Sequence, residues 1–240
     1  MATTPVQSVD RALDLLEALG EAERSLSLAE VAGRTGLTPP TAHRLLRTMQ
    51  ARGYVGQNAA REYNPGPALI ALGRKATPPL AALAQPLLVE LEEISQETAN
   101  LAVLDQDLIA YIAQVPSRHR MRMFTEVGRQ VLPHASGVGK AILSTLPEAR
   151  VRAIIQRTGL PGYTPSTITD EAAFFAELRE SRRRGFAIDD GEQEVGVRCI
   201  AVALTGVAAA VSISGPAARV TEAESARYVE ALQAVAARLT

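Results

Sequence analysis

Three glycines, Gly20, Gly36 and Gly53, cut the first 53 residues into three short segments of helical pattern, and this punctuation limits what that part of the chain can become. Residues 9–19, VDRALDLLEAL, place Val9, Ala12, Leu13, Leu16 and Leu19 at helical spacing, which predicts an amphipathic helix with that stripe against a core. Ser27 stands before LAEVAGRTG with Glu30 three residues on, the pattern of a capping box, and Gly36 ends this second helix. Thr38 is placed to cap a third helix whose first position is Pro39, where a missing amide costs nothing. That helix runs through TAHRLLRTMQARG to Gly53.

In the third helix Ala42, Leu45, Leu46 and Met49 share one side, leaving Thr41, His43, Arg44, Arg47 and Gln50 toward solvent. Residues 31–61 carry Arg34, Arg44, Arg47, Arg52 and Arg61 and no Asp or Glu, although the chain as a whole has a net charge of −1. A helix, a short glycine turn and a helix with a basic outer face describe a helix-turn-helix. YVGQ, the NAAR turn and REYN then read as a two-stranded wing with Arg61 near its tip. Such a module reads double-stranded DNA, the third helix entering the major groove and the wing tracking the backbone.

The remaining composition excludes several classes. A single cysteine, Cys199, forbids an intrachain disulfide framework, and three scattered histidines give no dedicated metal site. The amino terminus lacks the basic-then-apolar order of an export signal and no apolar run approaches the roughly 20 residues that cross a bilayer, so the expected location is the cytoplasm, away from membranes. GVGK at 137–140 suggests a phosphate cradle. However, His134 replaces the first glycine of such a loop and Ala141 its magnesium-holding hydroxyl, which removes a nucleotide site from consideration, and no other cofactor fingerprint stands in the chain.

Beyond the wing, PALIALGRKA is helical and ends before Pro78 and Pro79, giving expected boundaries of 1–65 for a DNA-binding domain, 66–79 for a linker helix and 80–240 for a second domain. There a helix near 80–96 precedes ANLAVLD and LIAYIAQV as paired strands turning at Gln106 and Asp107, with RMRMFTEV as a third strand. PHASGVGKAIL leads from a loop into a helix. Helices near 147–157 and 170–184, strands FAID, CIAVAL and VAAAVSIS, and a last helix near 221–239 complete an α+β sheet domain.

The pieces QSVDRALDLLEAL, LSLAEVAGRTGL and TAHRLLRTMQARGYV, with LPHASGVGKAIL, GYTPSTITD, RRRGFAIDDGEQEVGVRCIAVAL and SISGP, span essentially the whole chain. Together they resemble the IclR-family transcriptional regulators. The resemblance implies a winged helix-turn-helix domain followed by a GAF-like effector-binding domain, a homodimer or homotetramer on operator DNA, and no catalysis or cofactor. By position it also implies an effector pocket at Gly137, Val138, Asp189, Val197, Cys199, Ser212 and Ser214. A small carboxylate suits the chemistry: amides at a helix start receive an anion, and Ser212 and Ser214, two apart on a strand, face one side. Arg120 and Met123 are weaker candidates for the same pocket, and Lys140 is expected to meet solvent or a carboxylate.

Two departures from the family pattern bear on function. Pro39 and Pro40 replace a basic residue and a serine, so Pro40 stays a DNA-binding position without a donor, base reading falls on Thr41, Arg44 and Arg47, and Thr38, His43 and Arg61 are the phosphate contacts. The hairpin after Leu204 is short, with Thr205 and Gly206 at its turn. The alternatives are an enzyme using Cys199 or a pocket serine with His134 as base, and a DNA-binding scaffold without ligand.

Overall fold

The glycine punctuation yields helices close to their expected places. In the computed structural model, which describes residues 6–76, 79–123 and 125–239, α1 spans Gln7–Gly20, α2 Leu28–Thr35 and α3 Pro39–Ala51, followed by β1 Val55–Gln57 and β2 Tyr63–Pro65. The capping box is present in full: the Ser27 hydroxyl accepts from the Glu30 amide at 3.3 Å, and the Glu30 carboxylate accepts from the Ser27 amide at 2.9 Å. Gly36 takes the left-handed conformation at φ 65°, which ends α2 without Cβ strain. Strands β1 and β2 pair antiparallel, and Tyr63 also exchanges backbone hydrogen bonds with Leu26, tying the wing to the helices. Leu15, Leu19, Val31, Leu46 and Tyr63 form one buried cluster.

Two local expectations need correction. The buried face of α1 is Leu15, Ala18 and Leu19, while Val9 and Leu13 are 56% and 50% exposed. LDLLEAL carries leucines on more than one face, and what selects among them is where α2, α3 and β2 pack, which periodicity alone does not encode. Thr38 occupies the N-cap position of α3 without capping it; its hydroxyl meets that of Thr41 at 3.0 Å instead. Pro39 and Pro40 offer no amide in the first turn, so a capping oxygen has less to accept there.

The chain divides into two units, Met1–Thr77 and Pro78–Thr240. Helix α4 covers Ala68–Ala76, and Pro78, the expected boundary, lies outside the described residues. In the second unit α5 (Pro79–Ser95) leads into β3 (Thr98–Asp105) and β4 (Leu108–Val115). Then come β5 (Gln130–Val131), a 3-10 turn at Pro133–Ala135, α6 (Gly137–Thr145), α7 (Glu148–Thr158), α8 (Glu171–Arg184), β6 (Ala187–Asp190), β7 (Val197–Ala203), β8 (Ala209–Pro216) and α9 (Glu222–Arg238). The six strands form one antiparallel sheet in the order β5-β4-β3-β8-β7-β6. Helices α5 and α9 cover one face through Leu88, Leu91, Leu232 and Val235 against Leu101, Ile200, Val211 and Ile213. On the opposite face α6 lays Val138, Ala141 and Ile142 on Ala102, Cys199, Ala201 and Ala210. Strands β7 and β8 thus alternate Ile200, Val202, Val211 and Ile213 toward α5 and α9 with the small Cys199, Ala201 and Ala210 toward α6, as period-2 side-chain direction requires.

The expected strand at RMRMFTEV does not form. Apart from Phe124, which is outside the described residues, residues 120–127 are irregular, and the edge strand is the short β5 paired with Ile109 and Ala110. Alternating Met and Arg imitate a strand, but the backbone here is committed elsewhere. Arg219, held by the buried carboxylate of Glu97, donates to the Met121 carbonyl at 2.9 Å, and Ser117 bonds to the Gln96 carbonyl at 2.6 Å.

A small-residue requirement fixes how α6 sits. A methyl group on Gly139 would overlap the Pro133 carbonyl, and one on Gly137 would lie 2.7 Å from the Cys199 sulfur. Backbone cannot yield as a flexible side chain does, so Gly139→Ala is expected to destabilise the second unit by about 1–3 kcal/mol, read as an earlier midpoint in urea unfolding.

Candidate functional site

Two surfaces gather the residues singled out by sequence. In the first unit, His43, Arg44 and Arg47 are exposed along α3, with Thr41 half-buried beside Thr38. Arg47, His43 and Gln50 of α3 face Gln57, Arg61 and Tyr63 of the wing across an open groove of ≈ 470 Å³. None of His43, Arg44, Arg47 and Arg61 joins an ion pair among the described residues, so the positive charge of the three arginines is available to an outside anion. Of the two acids close to this region, Glu62 of the wing accepts from the Asn58 side-chain amide at 2.8 Å, and Glu30 is engaged by Arg24 at 2.5 Å, that guanidinium with the Ser27 amide and hydroxyl holding its carboxyl down at about 2. Arg61 adopts φ 62°, a conformation that favours glycine, and its carbonyl is held by the Gln57 side chain at 3.0 Å. Gln50 and Gln57 were missed as candidates because their place in the groove depends on how the wing folds back on α3. Pro40 is exposed at the start of the helix.

In the second unit Cys199 is the point of convergence. Register sets it opposite Asp189 on β6 and opposite Ser214 on β8, and its sulfur lies against Gly137. Ser212, opposite Ala201, shares the face with Ser214, and Val197 precedes Cys199 by two. At the start of α6 the Ser136 hydroxyl takes the Gly139 amide at 3.2 Å, and the Lys140 amide bonds to the Ser136 carbonyl. The buried amides of Gly137 and Val138 donate to nothing among the described residues, and the helix dipole adds partial positive charge there. Ser212 accepts from Asn100 at 3.4 Å. The buried Ser214 hydroxyl has no hydrogen-bond partner of ordinary geometry, although it and Ser212 stand near enough to the sulfur to favour a thiolate. Burial outweighs them and pushes the Cys199 thiol up to about 11.

Asp189 is buried, and its carboxylate accepts from the amides of Glu192 at 2.7 Å and Gln193 at 3.4 Å. Burial, opposed by those amides, raises its pKa to about 7. Beside it opens a cavity of ≈ 30 Å³ walled by Tyr111, Met123, Thr125, Arg129, Val131, Gln193, Glu194 and Val197. The Thr125 hydroxyl and the Gln193 amide oxygen are buried without partners. Of the two weaker sequence candidates, Met123 lines this wall and Arg120 does not. Tyr111, Thr125 and Arg129 were missed. Their positions follow from the pairing of β4 with β5 and from an irregular loop, neither of which leaves a local signature.

Lys140 answers what GVGK is for. Its side chain is 1% exposed and its ammonium pairs with Glu192, with Glu177 of α8 at 3.7 Å. A lysine so enclosed does not present itself to a phosphate. The proposed base of an enzymatic alternative is likewise engaged elsewhere: His134 Nε2 meets the Pro161 carbonyl at 2.9 Å, its ring stacks on Tyr163, and burial lowers its pKa.

Comparison with known proteins identifies both domains. Residues 8–59 match the IclR helix-turn-helix domain and residues 76–240 match the bacterial transcriptional regulator IclR C-terminal domain. The chain belongs to the IclR family of transcriptional regulators. It is 39% identical over 230 residues to the transcriptional repressor IclR of Escherichia coli K12, covering 92% of this chain and 84% of that one. The crystal structure of an IclR transcriptional regulator from Alicyclobacillus acidocaldarius superposes with a TM-score of 0.87 at 30% identity, covering 98% of each chain. The same fold recurs at 23% identity, with a TM-score of 0.83 and 97% of each chain covered, in an IclR homologue from Microbacterium hydrocarbonoxydans crystallised with 4-hydroxybenzoate. These relatives are named regulators and repressors, not enzymes, and the chain is a DNA-binding transcriptional regulator.

The buried acid of this IclR-family domain has a thermodynamic signature. Because the folded pKa of Asp189 lies above the ordinary 3.8, between 3.8 and about 7 the folded chain retains a proton that the unfolded chain has released. Stability from this group therefore falls as pH rises through that window. Asp189→Asn keeps an acceptor for both amides without the charge. Urea melts should show its stability relative to the parent rising by about 1–3 kcal/mol from about pH 5 to about pH 8.

Proposed function

We propose that the chain is a cytoplasmic homo-oligomeric repressor whose hold on operator DNA is controlled by a small carboxylate in the C-terminal domain. The observation that carries the reading is the convergence on Cys199 of two undonated amides, Gly137 and Val138, and one unpartnered hydroxyl, Ser214, all buried. Buried donors without acceptors are costly to a chain that never fills them, and together they match the oxygens of an acid. Asp189 and Val197 line the neighbouring ≈ 30 Å³ cavity, whereas Gly137, Val138, Cys199, Ser212 and Ser214 do not line it, so the reading requires that space to extend toward Cys199 when ligand enters.

On the DNA side, Thr41, Arg44 and Arg47 supply base contacts, Thr38, His43 and Arg61 face the phosphates, and Pro40 lies at the same face without a donor. The domain limits that accompany this reading are 1–65, 66–79 and 80–240. The deciding experiment is fluorescence anisotropy of the protein on DNA from upstream of its own gene, against shuffled DNA, with a panel of small mono- and dicarboxylic acids. Selective binding that one acid shifts supports the reading; equal weak binding to both DNAs, unmoved by any acid, overturns it.

Two outcomes separate the parts. Arg61→Gly relieves the left-handed strain and removes a charge, so thermal stability should hold or rise while the slope of log affinity against log salt falls by about one. Arg44→Ala or Arg47→Ala should instead cost about 1–3 kcal/mol on the operator and relax discrimination against shuffled DNA. On the ligand side, an anion beside Asp189 is accommodated best when that carboxyl holds its proton. Affinity for the acid, measured by calorimetry, should weaken by up to roughly tenfold per pH unit above about 7, and Asp189→Asn should flatten the profile.

A further inference from the structure

The segment between Asp189 and Val197 forms part of the cavity wall, and one residue in it is held at three points. The Glu192 amide donates to Asp189 at 2.7 Å, its carbonyl accepts from the Thr167 hydroxyl at 2.6 Å, and its carboxylate pairs with Lys140. The neighbouring Gly191 carbonyl accepts from Thr164 at 2.6 Å. Three separated stretches of sequence, GVGK in α6, YTPST at 163–167 and DDGEQ at 189–193, thus meet at a single loop. Glu177, the second carboxylate near Lys140, is itself bonded by Arg184 at 2.8 Å and Ser181 at 3.1 Å. It therefore belongs to α8, and Glu192 is the partner that ties Lys140 to the loop. Relative to apolar packing, a buried ion pair is a poor source of net stability, and what it can supply is location. Here it locates the residues whose amides orient the Asp189 carboxylate.

We propose that Lys140 and Glu192 are positioning residues of the effector site, an ion pair that pins the loop from Asp189 to Val197 onto α6, so that Asp189, Gln193 and Val197 hold one wall of the site in place. This rests on the effector-site reading above. Lys140 touches no effector in this scheme and acts through Glu192.

The single cysteine of the chain, Cys199, lies between Asp189 and Gly137 and serves as a reporter. A thiol reagent reaches its sulfur only when the loop or the helix end moves. The experiment follows modification of Cys199 by Ellman's reagent in the native full-length protein at one fixed pH, for the parent, Glu192→Gln, Thr167→Val and Leu232→Val. Glu192→Gln is preferred over changes at Lys140 because the lysine keeps Glu177, 3.7 Å away, and no cation is left unpaired. Leu232, buried on the opposite face of the sheet, provides a variant of lowered stability with the loop untouched. Modification of Glu192→Gln and Thr167→Val is expected to be faster than that of Leu232→Val by roughly tenfold or more once their melting temperatures are taken into account, which marks local opening. Rates that follow melting temperature alone, with Leu232→Val on the same line, would overturn the proposal. Should Glu192→Gln fail to fold, Thr167→Val decides by the same comparison. Protection of Cys199 by an acid is a separate arm: if no acid slows modification of the parent, the effector reading falls, while the comparison among variants still decides the role of the loop.

Discussion

The second unit depends on how closely the amino end of α6 approaches the sheet. Helices usually stand off a sheet by the thickness of their side chains, yet Gly137 lies against the Cys199 sulfur and Gly139 against the Pro133 carbonyl. That contact dictates the rest of the face. Alanines at 102, 201 and 210 and a cysteine at 199 occupy the strands beneath, since larger residues would lift the helix away. It also leaves the first helical amides dry, inside the protein rather than at its surface, with Ser136 satisfying Gly139 through its hydroxyl and Lys140 through its carbonyl. A packing requirement and a recognition surface are therefore met by the same residues.

Charge is distributed by a comparable logic. The chain is nearly neutral overall, and several of its acids are held by cations: Glu30 by Arg24, Glu97 by Arg219, and Glu177 and Glu192 by Lys140. Among the described residues the arginines of α3 and the wing have no such partners, so a locally positive field survives in a molecule whose net charge gives no hint of it. Arg61 extends the point, since a charged residue there accepts a backbone conformation that glycine would adopt with less strain.

What could be read from sequence was mostly local. The Ser27–Glu30 box, the left-handed Gly36, the wing and the strand pairs around Gln106 all depend on residues within a few positions of each other, and each formed as its pattern indicates. The misreadings share the opposite property. The face of α1 that is buried is chosen by α2, α3 and β2; Thr38 loses its cap because two prolines follow it; residues 120–127 give up strand pairing to an arginine about a hundred positions away. Lys140 could be called a cation in need of a carboxylate, but not which one, because Glu192 comes to it only through the sheet and the 164–167 turn. The same reasoning covers the site. Cys199, Asp189 and Ser214 gather by strand register, whereas Tyr111, Thr125 and Arg129 enter through a loop whose course carries no periodic signal.

The approach at Gly137 also bears on how such a site could diverge. Any side chain at that position would strike the sulfur of Cys199, so the space at this helix end cannot be resized there without moving the helix or the cysteine. The outer wall is built differently, from Met123, Thr125 and Val197, side chains on or next to loops whose bulk and polarity can change without disturbing the sheet. Descendants of this chain would then keep one end of their ligand constant and vary the other, acquiring new signals by exchanging residues on a single rim.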